Sequence, residues 1–177
     1  MRRRVTTLNA DWIDYWAGRY DPDSDREVLD EVGPRVRKRG CYDRNDLLTV
    51  GRWKSVRVLS RLESNTDEMI HDITRTALAA PEPIQHLVLT LLNGVQVPVA
   101  SSLLMVWQPN VHTVIDVRAV KSLVANGEIA DPAPKLYPPY IKYLSVCKEI
   151  SRRCCRSLRT VDRALYQADG CPADIRT

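Results

Sequence analysis

Helix start and stop signals follow one another along this chain, and sustained alternation of apolar and polar residues is almost absent. Strands require a period of two and helices one of about 3.6, so the pattern restricts the fold to packed helices. Ser24-Asp25-Arg26-Glu27 has the form of a capping box, in which the serine accepts from an exposed amide and the glutamate reaches back. It predicts a helix over 26–39, broken near Gly33-Pro34. Asn45 is read as the cap of a second helix, with an apolar stripe through Leu48, Trp53, Val56 and Leu62. Asn65-Thr66-Asp67-Glu68 opens a third, which Pro81 and Pro83 separate from a fourth.

Ile84 to Leu92 is apolar almost all round and predicts a helix buried on most sides. Past Asn93-Gly94 a second apolar helix covers 99–107, ended by Pro109-Asn110. A short helix follows Val114-Ile115-Asp116 and closes at Asn126-Gly127. Residues 131–139 hold four prolines and read as a loop; helices then cover 140–155 and 157–166, the latter capped by Ser157. The expected class is all-α, with about eight helices in one domain over 1–177. An N-terminal helical segment (1–44) packs on a core (45–168), and 169–177 is a loose tail.

Hydrophobic residues at 44% and charged residues at 27% allow a real core and exclude a disordered or fibrous chain. No apolar run approaches the ~20 residues that span a bilayer. Val5 to Asp11, after Arg2-Arg3-Arg4, lacks the apolar centre of an export signal. The five cysteines, an odd number, then read as reduced thiols in a soluble, cytoplasmic, monomer-sized protein with no membrane partner; the oligomeric state is left open. The net charge of +4 is small but unevenly placed, with basic clusters at 35–39 and 142–163 and acids collected at 11–30. That distribution suits a polyanion, and it equally suits a solvated helical face.

The stretch that carries chemistry is Leu87 to Ala100. Two apolar helices meet there through a short turn, where Gly94 permits positive φ and Pro98 suits the first turn of a helix. Amides at such a helix start face outward at the positive end of the dipole and can hold a phosphate; the same residues also make an ordinary helical hairpin. Leu92-Asn93-Gly94-Val95-Gln96-Val97-Pro98-Val99-Ala100 resembles the hairpin of the helix–hairpin–helix DNA glycosylase superfamily. That motif reads Leu-Pro-Gly-Val-Gly, two variable residues, a hydrophobic residue and Ala. Thr113-Val114-Ile115-Asp116-Val117-Arg118-Ala119-Val120, with Asp116 22 residues beyond Gly94, resembles the second signature of that superfamily, which holds its catalytic aspartate. Ser157 to Tyr166 looks like the closing helix of small members.

The resemblance implies a helix–hairpin–helix element in a glycosylase-like fold and a monofunctional, hydrolytic N-glycosylase that removes damaged or modified bases from double-stranded DNA. Amides of Gly94, Val95, Gln96 and Val97 would hold the backbone, and Asp116 would be catalytic. Gln96 stands where the family has its second glycine, so the backbone approaches a phosphate less closely, although the glutamine amide can itself donate. Pro98 stands where bifunctional relatives carry the lysine that forms a Schiff base, which removes that chemistry. Cys147 and Cys154 have the first spacing of the family's iron–sulfur ligands, but Cys155 and Cys171 do not continue it, so no cluster and no other cofactor is expected. His71, His86 and His112 make no metal-ligand spacing, and no metal is expected.

Asp116 also suits an N-cap, and both roles are compatible. A base taken out of a duplex needs apolar or aromatic walls, for which Trp53, Trp107, His112 and Tyr137 are candidates; core packing is the alternative for each. Lys54, Arg118, Arg152 and Arg153 are candidate phosphate contacts. Two other functions remain open. One is a catalytically silent helix–hairpin–helix DNA-binding module, which Gln96 and Pro98 favour. The other is a helical protein-interaction adaptor in which the hairpin only packs.

Overall fold

The computed structural model describes residues 8–173. Residues 1–7, on which much of the export-signal reading rests, and 174–177, the end of the expected tail, lie outside the described residues. The described residues form ten α-helices and no strand, as the periodicity requires. In chain order these are α1 (Ala10–Ala17), α2 (Gly33–Arg39), α3 (Arg44–Lys54), α4 (Leu59–Glu63) and α5 (Asp67–Ala79). There follow α6 (Glu82–Leu89), α7 (Val97–Trp107), α8 (Val117–Ala125), α9 (Tyr140–Cys154) and α10 (Leu158–Ala168). None is long and apolar enough to cross a membrane.

Side-chain caps set several of these boundaries. Thr66, Asp116 and Ser157 accept from the amides of Met69, Ala119 and Thr160 at 3.1, 2.9 and 3.0 Å, as expected of capping residues. Asn45 is not a cap. Asp43 accepts from the Asp46 amide at 2.8 Å and starts α3 two residues earlier than expected. Gly40, left-handed at φ 74°, stops α2 just before it. Helix α1 lies within the expected N-terminal helical segment but has no predicted boundaries there; Asn9 caps it by accepting from the Trp12 amide at 2.9 Å.

Residues 27–39 are helical throughout, and Gly33-Pro34 marks a change of winding instead of an interruption. Glu27–Val32 is π-helical and passes directly into α2. Pro34 has no N–H to donate to the preceding turn, and a wide turn needs none there. The expected stripe from Leu48 to Leu62 is split at Ser55, whose backbone is extended at φ −170° and ψ 117°. The split returns α4 onto α3 at Gly51, where a Cβ would lie 2.3 Å from Leu62 Cδ1. A straight helix could not bring Leu62 back onto Gly51.

The chain divides into two compact units, residues 22–114 and residues 1–21 with 115–177. In the unit 22–114 the central element is α7, with every residue from Val99 to Val106 buried. Tyr42, fully buried, donates its hydroxyl to Leu103 O at 2.7 Å, and its amide donates to Thr74 Oγ1 at 2.9 Å. Arg37 closes α7 by donating to Trp107 O at 2.8 Å.

The stretch from Ile84 to Leu92 is not buried on most sides. Helix α6 buries Gln85, His86 and Leu89, packs on α5 and α7, and leaves Ile84 and Leu87 exposed at 44% and 53%; Leu91, in the turn past its end, is exposed at 67%. A helix at the margin of a bundle has neighbours on one side only, whatever its composition.

In the other unit α10 packs on α1, α8 and α9. Ser122 of α8 donates to Leu165 O at 2.7 Å and accepts from the Gly170 amide at 2.9 Å. Asn126 donates to Cys171 O at 3.1 Å and accepts from the Ala173 amide at 2.7 Å. The expected loose tail is therefore tied to α8 as far as Ala173.

Candidate functional site

The turn between α6 and α7 is built from its glycine outward. Gly94 has φ +84°, and a Cβ there would lie 2.8 Å from Arg61 Cβ and 3.1 Å from the Leu62 nitrogen. Leu92 and Val95, both buried, anchor the turn on either side. Asn65, 2% exposed, grips it with both ends of its amide. Its Oδ1 accepts from the Asn93 N–H at 2.8 Å, and its Nδ2 donates to Asn93 O at 2.9 Å. Asn93 Nδ2 in turn donates to Ser64 Oγ at 2.6 Å. Gly94→Ala combines a left-handed backbone with a close contact and should cost about 2 kcal/mol. Urea unfolding should show a lower midpoint at unchanged slope.

Gln96 is the extended residue before α7, and its exposed side chain makes no capping bond. The amides of Gly94, Gln96 and Val97 have no hydrogen-bond partner among the described residues, and Pro98 at the second helical position has no N–H. The turn thus presents open donors at the positive end of an 11-residue helix.

Asp116 belongs to the other unit. It is half-buried, and its Oδ1 accepts from the Ala119 amide at 2.9 Å at the start of α8. The phenol of Tyr137 is pushed above its ordinary pKa, first by burial and then by the negative charge of Asp116. Tyr143 is fully buried, and its phenol lies well above the ordinary value, chiefly through burial, with Cys147, Asp162 and Asp116 adding to it. Asp116 is therefore within electrostatic reach of two phenols, one foreseen (Tyr137) and one not (Tyr143).

The remaining candidates are dispersed. Trp53 and Lys54 lie half-buried near the end of α3. Trp107 stacks on the buried His112 with ring centres 6.2 Å apart, so these two candidates do meet. Arg118 lies over the Tyr166 ring at 4.9 Å and 3.8 Å from Asp169. Arg152 is 74% exposed and bonded to Glu149 at 2.7 Å. Arg153 is only 26% exposed, is ion-paired with Glu128, and donates to Leu8 O at 3.2 Å. It holds the unit together instead of facing solvent. The neighbouring Arg156 and Arg159 are likewise paired, with Asp14 at 2.6 Å and with the buried Asp162.

Cys147 is buried and its thiol is raised far out of the reactive range, mainly by burial. Among the described residues no group of three or more His, Cys, Asp and Glu could hold a metal ion. A cleft of about 340 Å³ in the unit 22–114 is lined by Arg39, Tyr42, Asp43, Arg44, Asp67 and His71, and its arginines are bonded to those carboxylates or to Asp46. No protein-family model, curated protein or solved structure matches this chain.

Proposed function

We propose that this chain belongs with the helix–hairpin–helix DNA glycosylases and hydrolyses the N-glycosidic bond of damaged or modified bases in duplex DNA. The observation that supports the reading most is the local setting of the two motif segments. The glycine of the first sits at φ +84° before a helix with open amides, and the aspartate of the second starts a helix with a half-buried carboxylate. Amides of Gly94, Gln96 and Val97 would donate to phosphate oxygens, which is sequence-independent binding.

Bond cleavage places positive charge on the sugar and negative charge on the departing base. An ionised Asp116 stabilises the first, and its carboxylate orients the attacking water and takes a proton from it. Nothing in this scheme uses an amine nucleophile, because Pro98 stands where a lysine would act.

The direct test is to incubate the protein with duplexes carrying deaminated, alkylated or oxidised bases and to score abasic sites by alkaline cleavage. At least one lesion should be released, and borohydride should trap no covalent adduct. Abundant trapping would contradict the hydrolytic route, and absence of release from every duplex would remove the glycosylase.

A second reading, a catalytically silent DNA-binding module, is favoured by one contact. Asp116 already serves α8 as its cap, accepting from Ala119 at 2.9 Å. It predicts salt-sensitive duplex binding with no base release.

A further inference from the structure

We infer that Arg57 and Arg61 form a nucleic-acid backbone contact flanking the Asn93–Gly94 turn, a surface the sequence reading did not single out. The inference rests on the DNA reading above and supplies it with cations. Several other arginines are engaged: Arg35 and Arg39 on Asp46, Arg44 on Asp67, Arg153 on Glu128 and Arg156 on Asp14. Arg57 and Arg61 are exposed, and neither has an acidic partner among the described residues.

Their placement follows from the local fold. Val56–Val58 forms a 3-10 turn that runs straight into α4, so Arg57 and Arg61, four residues apart, share one face. Three residues further along that face is Ser64, whose Oγ accepts from Asn93 Nδ2 at 2.6 Å. The face therefore ends on the turn. Arg61 is its immediate neighbour, since a Cβ on Gly94 would lie 2.8 Å from Arg61 Cβ.

The assembly is also held firmly. Asn65 bonds both backbone groups of Asn93, and Arg44 donates to Glu63 O at 2.9 Å and to Asn65 O at 2.5 Å. Two like charges at this spacing repel, and a polyanion relieves the repulsion. Fixed backbone donors at Gly94, Gln96 and Val97 beside two cations suit phosphate oxygens at set spacing along a duplex better than mobile lipid headgroups.

The test measures binding of a fluorescein-labelled duplex by anisotropy between about 0.05 and 0.2 M salt. Wild type is compared with Arg57→Gln/Arg61→Gln and with Arg19→Gln/Arg26→Gln, which removes the same charge from exposed positions elsewhere; melting temperatures confirm folding. Loss of two phosphate contacts should lower the slope of log affinity against log salt by about 1.8 and weaken binding roughly sixtyfold at ~0.1 M, with the control pair unchanged.

A wild-type protein that binds DNA while the Arg57/Arg61 variant keeps its slope, or loses no more than the control, overturns this inference and leaves the DNA reading intact. A wild-type protein that fails to bind duplex at low salt overturns both. Binding to phosphatidylserine vesicles instead, lost in the Arg57/Arg61 variant, would reassign the face to membranes.

Discussion

Arg153→Met is expected to lower the stability of the protein by about 3 kcal/mol, the largest effect we anticipate from a single side chain away from the motif segments. Arg153 and Glu128 are 26% and 9% exposed, so each is largely withdrawn from water and compensated by the other. The pair also closes the entry to α1: the Leu8 amide donates to Glu128 Oε1 at 3.1 Å, and Arg153 donates to Leu8 O at 3.2 Å. Methionine replaces the stem of the arginine at similar volume but leaves the Glu128 carboxylate buried with one amide for company. The unpaired charge, and not lost packing, then dominates the cost.

The double variant Arg153→Met/Glu128→Gln should therefore recover part of the loss, because the amide removes the charge and keeps an acceptor for Leu8. Arg152→Met is the reference, since that side chain is 74% exposed and solvent screens its pair with Glu149. Urea midpoints for the four proteins decide the matter. Equal losses at 152 and 153 would mean that Glu128 is solvated in solution.

The same pair shows where reading the chain alone stops. Arg153 stands in a run of arginines that looks like a solvated cationic face, and its partners Glu128 and Leu8 are 25 and 145 residues away. Arg156 meets Asp14 across 142 residues. No periodicity reports such meetings, so the acids at 11–30 and the bases at 142–163 look like separate features although some neutralise one another. What is decided within a few residues was legible. Thr66, Asp116 and Ser157 cap as their types require, Gly94 takes the positive φ a turn demands, and the period of 3.6 yields helices.

Boundaries failed where a competing local solution existed, with Asp43 capping α3 in place of Asn45 and Ser55 splitting a stripe that looked continuous. The apolar run Ile84–Leu92 misled for a different reason. Composition sets how much surface a helix can bury, and its neighbours set how much it does bury. At the candidate site the sequence reading named Asp116, Tyr137 and the amides of Gly94, Val95, Gln96 and Val97; the Val95 amide is not open, since it donates to Leu92 O at 3.1 Å within the turn. Asn65 was read as part of a helix start and serves instead to clamp a turn 28 residues away.

The second large effect concerns Asp116, where the cap and the proposed chemistry fall on one residue and have to be separated. Asparagine caps a helix about as well as aspartate, because its side-chain oxygen still accepts from the Ala119 amide. It cannot carry negative charge or accept a proton from water. Asp116→Asn should therefore leave the melting temperature nearly unchanged and reduce base release by roughly 10²- to 10⁴-fold, the range expected for loss of a general base or charge-stabilising group.

Asp116→Ala removes the cap as well, so it should match that loss of activity and cost a further ~1 kcal/mol of stability. Duplex affinity should hold or rise slightly in both, since a negative charge leaves the molecule without loss of a phosphate donor. Single-turnover rates read alongside anisotropy separate the outcomes. Undiminished release by Asp116→Asn would reduce the residue to a cap and move the chemistry elsewhere. Weakened binding with normal single-turnover rates at saturating protein would make it a positioning residue.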